Sequence, residues 1–269
     1  MIRRIIRTAV VAALLAGSCF AEKLEVDLAG EAVVKDRLES GAVGPRHRQA
    51  AIRSLFSDVG CSVEEQRIDR SSANVICILP GQTNSTVVVG GHYDFAEYGQ
   101  GMVDDWSGAS LLPSLYQALK SRPRKHTYVF VAFTGEEQGL VGSSKYVKNL
   151  TSEQKALIHA FINLECLGVT PVKVWASRAS PVLLARLSEV ARAIDVTLQG
   201  VNVDQVGDDD THPFLSAHIP VITIHSLTQE TWGILHSDRD RKEAIHFDDY
   251  YTAYRLTAYY LAYLDVKTE

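Results

Sequence analysis

Six largely apolar runs rich in Val and Ile punctuate the chain, over residues 74–79, 86–90, 127–133, 160–164, 172–175 and 221–224. Such runs do not alternate apolar with polar, so they suit strands buried on both faces, as in a parallel sheet with helices above and below. Helical patterning lies around them, over 45–59, 107–120, 141–150, 181–194 and 248–264; in the first, Ala50, Ile52, Leu55 and Phe56 share a face. Alternating strands and helices predict an α/β fold, a three-layer sandwich of helices around a mostly parallel mixed sheet. At 269 residues with 46% hydrophobic positions, the chain can bury a sizeable core. No repeat, low-complexity tract or Pro/Gly/Ser linker divides residues 22–269, which read as one domain.

Sheets of this kind bind ligands just beyond the carboxyl ends of their strands, so the residues that follow each run matter most. The run from Thr86 leads into His92-Tyr93-Asp94, the run from Thr127 into Gly135-Glu136-Glu137, and the run from Phe161 into Glu165. Between the first two lies Asp104-Asp105-Trp106-Ser107-Gly108, and later come Asp208-Asp209-Asp210-Thr211-His212 and His236. Each piece alone has a plain structural reading. A histidine after a strand is commonly a satisfied core or surface residue, paired glutamates start solvated helices, and Asp105 or Ser107 could cap the next helix. Together they concentrate negative charge beside a low-dielectric core, which is unfavourable unless a cation occupies the site. Carboxylate oxygen and imidazole nitrogen without thiolate suit Zn²⁺, Mn²⁺ or Co²⁺ in a hydrolytic centre.

Charge and cysteine content narrow the alternatives. With 27 Lys and Arg against 32 Asp and Glu, and no basic run in the body of the chain, nucleic acid is excluded as an expected partner. Four cysteines, with no CxxC, exclude a thiolate zinc knuckle and a dense disulfide scaffold. The N-terminus belongs to another regime: Arg3, Arg4 and Arg7 precede an apolar stretch over 8–17, and Cys19-Phe20-Ala21 suits a cleavage site. Residues 1–21 read as a secretory signal peptide that sends the domain out of the cytoplasm, secreted or periplasmic. The apolar stretch is too short to span a bilayer. Ala16-Gly17-Ser18-Cys19 loosely resembles a lipidation signal on Cys19, but the usual Leu three residues before the Cys is absent. Without Cys19, the remaining Cys61, Cys77 and Cys166 allow at most one disulfide and leave one thiol free.

The ordered set His92-x-Asp94, Asp104-Asp105-x-Ser107-Gly108, Gly135-Glu136-Glu137-x-Gly139, Asn163-Leu164-Glu165 and His236 resembles the M28 family of zinc exopeptidases, over roughly residues 45–265. The resemblance implies that family's phosphorylase/hydrolase-like fold, peptide substrates and two zinc ions per chain, with Mn²⁺ or Co²⁺ as substitutes. It implies His92, Asp104 and Glu165 on one metal, and Asp104, Glu137 and His236 on the other, with Asp104 as the bridge. It further implies a cis peptide between Asp104 and Asp105, and Asp94 accepting a hydrogen bond from the far nitrogen of His92. Asp105 supports the ligands from behind. Glu136 becomes the general base, taking a proton from water and delivering it to the leaving amine. Tyr93, His212 and Trp232 are candidates for the substrate pocket, with plain packing an equal reading for Tyr93 and Trp232.

Two positions depart from the pattern. Glu165 stands where aminopeptidases of the family usually carry Asp, and Glu there tends to accompany carboxypeptidase activity. His236 is followed by Ser-Asp where the family often has Thr-Pro, which makes His212, in a segment like the family's Ser-Asp-His, the rival ligand. The reading is a secreted two-zinc exopeptidase, foremost an aminopeptidase, with a carboxypeptidase or dipeptidase of the same fold as a variant. Against it stands a single-zinc glutaminyl cyclase; those relatives usually have Ser after the bridging Asp and Trp before the last His, where this chain has Asp105 and Leu235. A binding protein on a dead peptidase fold, like transferrin-receptor ectodomains, is the third reading, and its relatives have lost ligands that this chain retains.

Overall fold

A computed structural model describes residues 26–41, 45–205 and 207–267; the expected signal peptide over 1–21 lies outside the described residues. Helices α1 (Glu31–Glu39) and α2 (Pro45–Asp58) precede strands β1 (Val63–Arg67), β2 (Ala73–Leu79) and β3 (Thr86–His92). A wide turn over Met102–Trp106 leads into α3 (Ser107–Ala109), α4 (Leu112–Lys120), β4 (Thr127–Phe133), α5 (Val141–Asn149) and α6 (Ser152–Leu157). Then follow β5 (Ile158–Glu165), β6 (Lys173–Val174), α7 (Pro181–Ala193), β7 (Gln199–Gly200), α8 (Thr211–Ser216), β8 (Val221–His225) and α9 (Phe247–Val266).

The strands form one sheet in the order β1-β2-β4-β3-β5-β8-β6-β7. Its centre, β4-β3-β5-β8, is parallel, while β1, β2 and β4 run antiparallel in turn and β6 is antiparallel to β8. The expected mixed, mostly parallel α/β sandwich is therefore what forms. Successive strand side chains leave opposite faces of a sheet, so each apolar run feeds two cores. Val87, Val89, Phe130, Ile162, Leu164, Ile222 and Ile224 enter the layer covered by α1, α2, α4, α7 and α9. Val88, Val131, Phe133, Phe161 and Val221 enter the opposite layer, where α5 packs against α8. There Phe161 and Phe214 stack with ring centroids 3.9 Å apart.

Two local readings needed revision. Residues 107–120 were expected as one helix, but it breaks between α3 and α4, with Pro113 in the first turn of α4. Proline lacks an amide hydrogen and clashes with the preceding turn, so it starts a helix more readily than it continues one. Strand β1 escaped notice because Val63-Glu-Glu-Gln-Arg67 is a charged edge strand paired only with β2. A disulfide joins Cys61 to Cys77 beside this edge, and Cys166 is free and buried. Among the described residues, no helix is long and apolar enough to cross a membrane.

Candidate metal centre

From β3 the chain runs first to β4 on one side and later to β5 on the other, so the carboxyl end of β3 is a topological switch point. His92 is the last residue of β3, Glu165 is the last of β5, and Glu136-Glu137 follow β4 within four residues. Asp104 reaches the same place from the turn before α3, where its peptide bond to Asp105 is cis.

Asp104 stands between two histidines. Its Oδ1 lies 3.2 Å from His92 Nε2, and its Oδ2 lies 3.2 Å from His236 Nε2. His92 Nε2 is also 3.3 Å from Glu165 Oε1, and His236 Nε2 is 3.1 Å from Glu137 Oε2. Two donor trios result, His92-Asp104-Glu165 and Asp104-Glu137-His236, each with its donor atoms within 4.8 Å of one another. Glu136 Oε2 faces the first trio at 3.9 Å from His92 Nε2. The trios differ in exposure: the His92 side chain is 1% exposed, whereas that of His236 is 57% exposed at the rim. His236 holds a left-handed backbone conformation, φ 52°, uncommon for a residue with a side chain.

The donors fit a cation. Both trios consist of imidazole nitrogen and carboxylate oxygen, and Glu137 Oε1 is buried with no hydrogen-bond partner among the described residues. With protein groups alone, the cluster relieves its excess negative charge by retaining protons. Burial, with Asp210 and Glu165 nearby, pushes the Glu136 carboxyl up to about 10, and burial beside Asp104 pushes Glu137 up to about 7. Hydrogen bonds to Asp104, with the charge of Glu137, push His236 up to about 9. A bound cation reverses this local balance, because it favours every deprotonated donor.

A second layer fixes these groups. Asp105 Oδ1 accepts hydrogen bonds from the amides of Cys166 (2.9 Å) and Gly108 (3.0 Å), and its Oδ2 accepts from the His92 amide (3.2 Å). One carboxylate thereby ties β3, β5 and the start of α3. A Cβ at Gly108 would stand 2.5 Å from the Leu164 carbonyl oxygen, so only glycine permits this approach. Asp94 meets the far nitrogen of His92, nearer through its backbone than through its side chain. His92 Nδ1 lies 3.2 Å from the Asp94 backbone carbonyl oxygen and 3.6 Å from its carboxylate. The carboxylate turns instead to the amides of Glu136 and Glu137, at 3.2 and 3.3 Å, because two N–H donors hold a buried anion better than one. Asp94 thus braces the paired glutamates as well as His92.

A cavity of about 420 Å³ opens onto the trios. Asp104, Glu136, Glu137, Glu165 and His236 line one side, and Cys166, Trp175, Val203, Leu227, Trp232 and Leu235 form an apolar wall. Of the candidate pocket residues, Trp232 is in this wall, but Tyr93 and His212 are not. Tyr93 is buried, its hydroxyl donates to the Ala73 carbonyl (2.7 Å), and it lines a separate cavity with Asp94 and Thr134. His212 is 56% exposed and pairs with Asp208 at 2.6 Å, apart from both trios. Trp175, Asn163, Thr223 and Arg48 also bear on the site, although sequence reading gives none of them a separate role. Of these only Asn163 carried a signal, two residues before Glu165 and hence on the same face of β5.

Donors converging from successive strand ends on one shared carboxylate make an α/β protein whose sheet switch point could hold metal ions. The chain belongs to peptidase family M28, whose profile matches residues 74–261. It is 34% identical over 107 residues to a probable leucine aminopeptidase 2 of Aspergillus fumigatus, covering 39% of this chain and 21% of that one. It resembles the structure of a zinc aminopeptidase from Bacillus subtilis, with TM-score 0.66, 25% identity, and coverage of 74% of this chain and 52% of the other. It shares its fold with a glutaminyl cyclase of Fimbriiglobus ruber, with TM-score 0.73, 18% identity, and coverage of 92% and 99%. The chain spans between about a sixth and a third of the length of the curated relatives it matches.

Proposed function

We propose that this protein is a two-metal aminopeptidase that removes N-terminal residues with apolar side chains. The observation that carries the reading is the pair of donor trios sharing Asp104 beside a cavity whose lining combines carboxylates with the apolar Trp175, Leu227, Trp232 and Leu235. His92, Asp104 and Glu165 would hold one zinc ion, and Asp104, Glu137 and His236 the second. When bound, the ions polarise the scissile carbonyl and make water more acidic. Glu136 takes the proton of the attacking water and passes it to the leaving amine. For this it must be deprotonated, a form that positive charge at the neighbouring trios favours. Asp94 keeps Glu136 aimed by holding its amide, and Asp105 keeps His92 and Asp104 in register.

Charge around the cavity favours the amino end over the carboxyl end. Asp104, Glu136, Glu137, Glu165, Asp208 and Asp209 line it, and among the described residues no Lys or Arg does. With Asp104, Glu137 and Glu165 on the metals and Asp209 held by Asn163, Thr211 and Thr223, Glu136 and Asp208 remain to meet a substrate ammonium, while among the described residues no Lys or Arg of the lining meets a terminal carboxylate. This outweighs the carboxypeptidase association of Glu165. The wall of Trp175, Leu227, Trp232 and Leu235 suits an apolar first side chain. Residues 1–21 act as an export signal, and residues 22–269 are the peptidase domain. The Cys61–Cys77 disulfide supports an oxidising destination.

A peptide panel with metal analysis tests the reading. The expected result is two zinc ions per chain and stepwise loss of N-terminal residues, fastest for Leu-like ones. Release of C-terminal residues would reverse the end preference. One zinc with pyroglutamate formed from an N-terminal glutamine would replace the peptidase by a cyclase, the reading that the Fimbriiglobus likeness favours.

A further inference from the structure

Glu165 is one methylene longer than the Asp usual at this position, and a longer arm needs a firmer hold. Its Oε1 faces His92, and its Oε2 accepts a hydrogen bond from Asn163 Nδ2 at 2.9 Å. The same Asn163 amide nitrogen donates to Asp209 Oδ2 at 3.2 Å. Both amide protons are thus spent on carboxylates, which fixes the orientation of the amide: turned over, its oxygen would face two anions. Asp209 is itself immobilised. Thr223, directly opposite Asn163 in the β5–β8 register, donates to Oδ2 at 2.5 Å. Oδ1 accepts from the Thr211 amide at 3.0 Å and from the Thr211 hydroxyl. Arg178 Nη1, 3.6 Å from Oδ1, offsets the charge. Asn163, Asp209 and Thr223 are all at most 3% exposed, so this chain of bonds runs through a low-dielectric interior where its geometry is well enforced.

We infer that Asp209, acting through Asn163, is a positioning residue that fixes the Glu165 carboxylate for the metal held by His92, Asp104 and Glu165. The inference rests on the proposed reading of Glu165 as a ligand. Asp209 touches neither metal nor substrate in this role; it removes the freedom of Asn163 to rotate, and Asn163 removes that of Glu165. Outer partners of this kind typically alter metal affinity 10–100-fold. The partner trio, Asp104, Glu137 and His236, receives no bond from the Asn163–Asp209 pair, so the effect is confined to one of the two sites.

Zinc affinity, measured by competition with a chromophoric chelator, provides the test. In the wild-type protein the titration resolves two steps; absence of any bound zinc would instead sink the metal reading itself. Asp209→Asn is expected to weaken one step about 10–100-fold and to leave the other within about threefold. In His236→Ala, whose remaining intact trio is that of His92, adding Asp209→Asn weakens the surviving step by the same factor. Asn163→Ser, which breaks the relay from the other end and leaves Thr211 and Thr223 on Asp209, reproduces the loss. The metal-free variants keep the wild-type circular dichroism. Unchanged affinities, equal weakening of both steps, or metal-free forms of both variants that fail to fold would each overturn the inference.

Discussion

Glu136 and Glu137 are adjacent, yet their side chains serve different neighbours: Glu136 lies 3.9 Å from His92 Nε2 and Glu137 lies 3.1 Å from His236 Nε2. Consecutive side chains outside a helix diverge, so one turn can aim two carboxylates at different neighbours, as the proposed base and the proposed ligand require. Replacing Glu136 by Gln keeps its shape and removes its basicity. The expected outcome is a loss of about 10²–10⁴-fold in kcat, with zinc content unchanged; a Glu136→Gln protein at wild-type turnover would exclude it as the base. His225 shows the opposite strategy, a histidine kept neutral. Its Nδ1 accepts from the Leu227 amide and its Nε2 donates to the Val201 carbonyl, each at 3.0 Å, while burial pushes it down from 6.5 to about 4. Below pH 6.5 the unfolded chain binds a proton that the folded chain refuses, so stability falls with pH down to about 4 and then levels off. Between pH 7 and pH 5 this one residue removes about 2 kcal/mol. Glu136, Glu137 and His236, all held up, act in the opposite direction in the metal-free protein, so the contribution is read as the difference between wild type and His225→Gln in urea unfolding at the two pH values; an equal pH dependence of the two proteins would exclude it.

At the scale of elements, the chain's edge and its site are secured by different links. Strand β1 has one partner, and the Cys61–Cys77 bridge closes a loop of sequence separation 16 across it. Closing a loop of that size restricts the unfolded chain by about 3 kcal/mol, so Cys61→Ser with Cys77→Ser should lower the urea midpoint accordingly while activity persists in the folded fraction. An unchanged midpoint would mean that the bridge contributes nothing. Arg48 of α2 binds a longer span: fully buried, it donates to the carbonyls of Tyr93 (3.2 Å) and Gln100 (2.5 Å) and lies 4.5 Å from the Phe95 ring centroid. It thereby braces the segment between His92 and Asp104. The central strands and the donors at their ends could be read in sequence because burial on both faces leaves a continuous apolar run, and a metal donor after such a run is conspicuous. Strand β1 could not, because a solvated edge imposes no apolar pattern. Nor could Arg48 or the Asn163–Asp209 bond, since they join residues 45 to 52 positions apart and no local period records them. Tyr93 and His212 lie outside the lining of the cavity at the trios for a related reason: adjacency to a motif says nothing about which way a side chain leaves the backbone.

Over the whole molecule, the acidic excess is unevenly placed. A net charge of −5 is modest for 269 residues, yet six of the 32 acidic residues line one cavity. A cation bound there would do structural work as well as chemistry, since anything that binds only the folded state stabilises it, by about 2.7 kcal/mol at a hundredfold excess over Kd. The two trios share Asp104 but not their surroundings: His92, at the end of β3, is buried, whereas His236 stands more than half exposed on the rim. Exchange with solvent requires the donors to open, and the rim trio can open by moving His236 alone. Chelation should therefore remove zinc in two phases. The fast phase empties the rim trio and abolishes hydrolysis; the slow phase empties the buried trio and carries most of the fall in Tm. In His236→Ala the fast phase should be missing and the slow one retained. A single phase in the wild-type protein, with activity and Tm lost together, would mean that the shared carboxylate couples the two trios into one unit despite their unequal burial.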